Sequence, residues 1–237
     1  MISALQSFAL PTAALLYAGS LLSFLWSRET AYRGLLALAL VCHALYLGAF
    51  GWFDGMYLFL KVVESPAFLP FALGCVIALG EIRRHQRSPY GFGLIVVIAF
   101  TIIAFLTPRS LSYFGPNKLS AWADIYFITD FSAQACFIMA AVISILHLAG
   151  WWREESPFRL VAWGFILHTI AQVAGAIWCF LGWAMTFQWV YVHLQSAAVW
   201  MFYANYLHLR LIPRWNEKRL AIYLVAGAVM IMLFKYI

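Results

Sequence analysis

Charge is scarce in this sequence. Only 10% of its 237 residues are Asp, Glu, Lys or Arg, while 65% are hydrophobic. A soluble domain carries about 25% charged residues to coat its surface, so the shortage excludes a globule bathed in water. Mean hydropathy is +0.86, and apolar runs of roughly 20 residues, the length that crosses a bilayer core of ~30 Å, recur along the whole chain. These runs lack the polar–apolar alternation of barrel strands, which leaves helices as the spanning structure. Cysteine is also sparse. Cys42, Cys75, Cys136 and Cys179 stand singly in apolar segments with no CxxC pair, a pattern of small buried hydrophobes rather than of disulfides or thiolate metal sites. Catalytic signatures are missing as well. There is no Ser/His/Asp spacing, no HExxH, no phosphate-cradling glycine loop and no cluster of metal carboxylates. Any chemistry has to come from a bound cofactor, and the chain reads as no enzyme on its own.

Polar breaks divide the chain into spans near 5–26, 34–53, 58–81, 90–107, 122–149, 158–181, 190–211 and 219–236. The expectation is an all-α integral membrane bundle of about eight transmembrane helices, forming a single polytopic domain over 1–237. The first span is too long for the apolar core of a signal peptide and has no basic residue before it, so it reads as retained. Loops after spans 1, 3, 5 and 7 carry Arg28, Arg33, Arg83, Arg84, Arg87, Arg153, Arg159, Arg210, Arg214, Lys218 and Arg219. The other side carries only Lys61, Arg109, Lys118 and Lys235. This bias predicts cytoplasmic odd-numbered loops and both termini outside, in a bacterial-type cytoplasmic (inner) membrane. It also accounts for the net charge of +6 without a nucleic-acid partner. Membrane lipids are the expected surroundings, with anionic headgroups a secondary contact for the loop before the last span.

Ionisable residues inside a bilayer are costly, which makes each a candidate for function or for helix–helix hydrogen bonding. His43 lies mid-span in LALVCHALYL. His168 lies mid-span in GFILHTIAQVAG, with Gln172 one turn on and therefore on the same face. His193 and His208 lie at opposite ends of span 7, roughly 22 Å apart along a helix, so they mark two levels of the membrane. Each histidine reads either as a hydrogen bond to a neighbouring carbonyl or as a ligand. A neutral imidazole is a good axial ligand for haem iron, and two from different helices can clamp a haem edge-on. Lys61, Glu64, Asp124 and Asp130 gather on the outer side. They read as paired salt bridges beneath the outer loops, or as a polar vestibule where Lys61 or Arg109 meets carboxylates such as haem propionates.

Trp178, Trp183, Trp189 and Trp200 fall in or beside the external loop between spans 6 and 7. An interfacial aromatic belt explains tryptophan there, but not the ordered pattern of Gly175-Ala176-Ile177-Trp178, then Trp183, then Trp189, then Tyr206-Leu207-His208 with Arg210. That pattern resembles the CcsA/HemX family of cytochrome c assembly proteins, whose hallmark is a tryptophan-rich external loop, the WWD loop, that presents haem. Weaker likeness extends over most of the chain. His43 stands where the family carries an early membrane histidine. The loop departs from the family where Trp189 is followed by Val190 instead of Asp, and where Tyr126 stands nearest the place of an external histidine. The family's second external histidine would follow the last span, beyond Ile237.

The resemblance implies a haem-handling membrane protein of cytochrome c biogenesis. Haem, as haem b, would lie on an inner pair of iron ligands, His43 and His208, beneath an external platform of Trp178, Trp183 and Trp189. His193 or Tyr126 would stand in for the missing external ligands, and His168 is a further candidate. The expected partners are haem itself and another membrane subunit or a cytochrome. Two other readings stay open: a haem- or quinone-associated membrane subunit of a respiratory complex, and a HemX-type accessory protein of haem synthesis.

Overall fold

The computed structural model describes residues 2–53, 66–82, 88–106, 120–152, 156–187 and 189–236, and every regular element among them is helical. The helices are α1 (Ile2–Leu25), α2 (Glu29–Phe53), α3 (Phe68–Ile82), α4 (Gly93–Leu106), α5 (Ala121–Leu148), α6 (Phe158–Trp183), α7 (Tyr191–Leu209) and α8 (Glu217–Tyr236). A short 3-10 turn over Pro89–Phe92 leads into α4. These elements follow the predicted spans closely. The exception is the third, described only as the 15 residues of α3. Its expected first residues lie outside the described ones, as do Lys61, Glu64 and Arg109.

Among the described residues five stretches are long and apolar enough to cross a membrane: Phe8–Leu25, Glu29–Ala49, Pro89–Leu106, Ala121–Leu148 and Phe158–Trp183. The chain is an all-α, multi-pass membrane bundle. At 19 residues, α7 is about 28 Å long, nearly the bilayer core, yet it carries Gln195, Ser196, Asn205 and two histidines. Its lower apolarity has a use, described below. Local chemistry fixes several helix ends. Ser120 caps α5 by accepting the N–H of Trp122 at 3.3 Å, and Asp124 lies in the first turn, where a carboxylate meets the positive end of the helix dipole. Ala184 closes α6 in the left-handed region, at φ 55°. Ser88 caps the 3-10 turn and donates to the buried carboxyl of Glu81 at 2.5 Å.

The chain divides into two compact units, Met1–Gly115 and Pro116–Ile237. In the first, α1 packs against α2 and α4, and α3 joins α2 to α4. Leu10, Tyr46, Leu47, Ala67 and Ala104 form a buried cluster there. In the second, α5 packs against both α6 and α8, while α7 packs against those same two helices. The core of this second ring is aromatic. Phe137 and Tyr203 stack face to face, 3.5 Å between centroids and 5° between planes, and Phe202 stacks on Tyr223.

Glycine permits the close approach of α6 to α5. A Cβ at Gly164 would lie 2.7 Å from the Phe137 ring and 3.2 Å from the Ala133 carbonyl oxygen. Small residues let membrane helices meet at this distance, where packing replaces the hydrophobic drive available in water. Gly164→Ala should therefore lower stability by about 1–3 kcal/mol, read by thermal unfolding in mild detergent. Gly34→Ala, where no atom lies within 4 Å of the added carbon, should cost nothing and raise stability by up to about 1 kcal/mol through helix propensity.

Candidate functional site

Three helices of the second unit turn polar side chains toward one place. On α5 these are Tyr126, Asp130 and Gln134, spaced four residues apart and so aligned on one face. From α6 come His168 and Gln172 with the same spacing, and from α7 come Gln195 and Ser196. Both carboxylate oxygens of Asp130 have close partners. Gln134 donates to Oδ2 at 2.6 Å, and Nδ1 of His168 stands 2.9 Å from Oδ1, off the line of a ring N–H hydrogen bond. The other ring nitrogen of His168, Nε2, donates to the backbone carbonyl of Ser196 at 3.1 Å. Gln172 lies 3.3 Å from that nitrogen and donates to the Ser196 hydroxyl oxygen. Tyr126 also hydrogen-bonds Ser196 through its side chain.

The electrostatics follow from these roles. A carbonyl only accepts, so Nε2 carries hydrogen. A bare Nδ1 and a bare carboxylate oxygen would repel at 2.9 Å, so one proton lies between Asp130 and His168 and the pair is neutral as a unit. Neutral pairing of this kind makes ionisable groups tolerable inside a bilayer. The pair is enclosed: the His168 side chain is 2% exposed and that of Asp130 13%. Beside it lies a cavity of about 190 Å³ whose polar wall is made by Tyr126, Asp130, Gln134, Gln195 and Ser196, and whose apolar wall includes Phe131, Val199, Ile231 and Phe234. Gln195 closes one side by donating to the Phe234 carbonyl at 2.9 Å.

Aromatic rings extend the site toward the tryptophan loop. Tyr126 and Phe127 lie 6.2 and 5.9 Å from Trp178, which lies 5.8 Å from Trp183. Gly175 makes room for this arrangement, since a Cβ there would be 3.0 Å from the Tyr126 ring. Trp183 is 42% and Trp189 85% exposed. His193 sits among Phe187, 5.5 Å away between centroids, and Cys179, whose sulfur is 3.4 Å from Nε2. At the other end of α7, exposed His208 donates from Nδ1 to the Ala204 carbonyl at 2.8 Å, which leaves Nε2 as its ligand-capable nitrogen. In the first unit, His43 is fully buried among the rings of Tyr17, Tyr46 and Phe71. Its Nδ1 is 3.2 Å from the Tyr17 hydroxyl. Its Nε2 makes no hydrogen bond of good geometry, although the Ala67 backbone lies beside the ring.

The structure thus brings together Tyr126, His168, Trp178 and Trp183, and places His193 on the same α7 as Ser196. His43 lies in the other unit. The shared face of His168 and Gln172 is as the spacing predicts, and His168 meets a carbonyl of a neighbouring helix. Asp130, read as one of the outer salt-bridging charges, has His168 as its ionic partner. Gln134, Gln195 and Ser196 were missed by sequence reasoning, although the four-residue spacing of Tyr126, Asp130 and Gln134 is a signal that marks a polar stripe. Among the described residues no group of three or more His, Cys, Asp or Glu side chains could hold a metal ion.

No protein-family model matches the chain. Relatives, however, share one name. A cytochrome c biogenesis protein CcsA of Synechococcus sp. (strain CC9605) is 34% identical over an alignment of 251 positions, covering 86% of this chain and 82% of that protein. One from Prochlorococcus marinus (strain NATL1A) is 33% identical, covering 74% of this chain and 71% of that protein. The match to the CcsA of Cyanidium caldarium is shorter, at 24% identity over 129 residues, 54% of this chain and 44% of that protein.

The enclosed pair gives a sharp test of what holds this site. Removing one partner of a buried charge pair strands the other, at a cost of roughly 3–5 kcal/mol. Asp130→Ala and His168→Ala should each destabilise the protein on that scale. The double variant should lose less than the two single losses added together, as a double-mutant cycle of thermal unfolding in detergent would register.

Proposed function

The chain belongs to the CcsA family of cytochrome c biogenesis proteins, and on that premise we propose that it handles haem as cargo, with His43 in the first unit and His208 in the second as intramembrane iron ligands. The observation that carries this reading is the buried Nε2 of His43, which no good hydrogen bond satisfies. Leaving a polar nitrogen unmet in a membrane interior costs about 1–3 kcal/mol. Such a group calls for a reason, and an iron ligand supplies one. In the tautomer that has its hydrogen on Nδ1, donated to the Tyr17 hydroxyl, Nε2 presents its lone pair, and the rings of Tyr17, Tyr46 and Phe71 suit the flat face of a macrocycle.

His208 offers the same donor chemistry, because its tautomer is set by the Ala204 carbonyl. A groove of about 470 Å³ between α6 and α7 is walled by Phe158, Phe165, Ile166, Leu207 and Leu211, the last two flanking His208 in sequence. Its volume is in the range of small-molecule pockets, roughly 300–1,000 Å³. Arg210 borders the groove, 3.9 Å from the Phe158 ring, and a guanidinium there suits a propionate. Trp178, Trp183 and Trp189 form the external aromatic platform in this reading, with His193 or Tyr126 in the position of the external ligands. The excess of basic residues in the odd-numbered loops supports a cytoplasmic membrane location with that platform on the periplasmic side. Another membrane subunit or a cytochrome is the partner to which haem is passed. When bound as haem b, the group would supply an iron centre; the chain's own part is to ligate and orient it.

Absorption spectra test the proposal. The full chain purified in mild detergent from haem-replete cells should show a six-coordinate haem spectrum in both oxidation states. His43→Ala and His208→Ala should each lose it, and Arg210→Ala should lower occupancy by roughly tenfold, the worth of one charge-assisted contact. A colourless wild type, or a spectrum unchanged in both histidine variants, overturns the inner pair.

A further inference from the structure

The cavity beside Asp130 and His168 is chemically unlike a haem site. Both ring nitrogens of His168 are engaged, one by Asp130 and one by the Ser196 carbonyl, so the imidazole has no lone pair for iron. Among the described residues no Lys or Arg lines the cavity, so none of them would hold a propionate or phosphate there. Its volume of about 190 Å³ is under the ~300–1,000 Å³ of pockets that enclose a whole small molecule. What fits is part of a molecule: neutral, ring-sized, hydrogen-bonding on one side and apolar on the other, and delivered from the lipid phase.

We propose that this cavity binds the head group of a membrane quinone, with the Tyr126–Ser196 hydroxyl pair holding one ring oxygen and Phe131, Val199 and Ile231 against its apolar face. The hydrogen-bonding groups suit both redox forms. A quinone oxygen only accepts, whereas a quinol oxygen donates and accepts. One of the two hydroxyls donates to the other, so the Tyr126–Ser196 pair keeps one O–H to give and oxygen lone pairs to accept with, which serves either form, and the Asp130–His168 pair already shares a proton. A fixed cation would favour one form alone. Polar residues on α7, which make that helix less apolar than α6, are thereby given a purpose: Gln195 and Ser196 are cavity wall. The competing occupant is water, since the space equals roughly six molecules at ~30 Å³ each. This proposal does not depend on the haem reading, and a colourless protein would leave it intact.

The test uses the full chain in nanodiscs of quinone-free synthetic phospholipid, titrated calorimetrically with decylubiquinone and with 2,3-dimethylnaphthoquinone. Saturable one-to-one binding of at least one probe is expected, above the partitioning heat of empty nanodiscs. Ser196→Ala should weaken it about tenfold by removing one hydrogen bond. Val199→Phe, which fills the cavity, should abolish it, and Trp163→Phe on the exposed face of α6 should leave it unchanged. An azido-quinone photolabel on the wild type provides a second readout that needs no variant, and it should mark peptides of α5 and α7. Heat no greater than partitioning, binding equal in wild type and both cavity variants, or labelling confined to other helices would each overturn the proposal and leave a water-filled cavity.

Discussion

Helices inside a bilayer gain little by hiding apolar surface from one another, because the lipid is as apolar as they are. Shape and polar pairing must therefore hold the second unit, and the Asp130–His168 pair is its polar centre. A lone carboxylate or imidazolium at this depth would be costly, so each requires the other, and α5 is bound to α6. The second ring nitrogen then takes the Ser196 carbonyl of α7, Gln172 takes the Ser196 hydroxyl, and Gln195 reaches the backbone of α8. One ionic pair and its hydrogen bonds thus link all four helices. Close packing around it, through Gly164 and the Phe137–Tyr203 stack, supplies shape where the polar groups supply direction.

Much of the fold was legible in the sequence, because run length and charge bias report directly on the lipid environment. The helix ends follow the polar breaks to within a few residues, and His168 with Gln172 was readable as one face from spacing alone. The partner of Asp130 was not. Residues 130 and 168 lie on different helices, and hydropathy carries no information on which helices adjoin. Tyr126 was legible only as the residue nearest a missing histidine. Its packing against Gly175 and Trp178 depends on the fit of two helices, which no linear pattern states. The unsatisfied nitrogen of His43 was equally hidden, since it is defined by what neighbouring helices fail to offer.

The two regions of the second unit differ in chemistry in a way that membership of the CcsA family does not by itself anticipate. The groove near His208 is apolar with a guanidinium at its edge, and its histidine keeps a ligand-capable nitrogen. The cavity near His168 is neutral and rich in hydroxyls and amides, and its histidine is fully committed. Two histidines in one small bundle therefore offer different chemistry, set by what their second nitrogen already holds.

That division runs along a single helix. Ser196 and His208 both belong to α7, twelve residues apart, which is about 18 Å of rise and a third of a turn of offset. The Ser196 carbonyl is clasped by His168, and His208 is aimed by the Ala204 carbonyl of the same helix. An α-helix twists stiffly, so the two groups are mounted on one shaft: a rotation of α7 that parted Ser196 from His168 would carry the imidazole at its far end through the same angle.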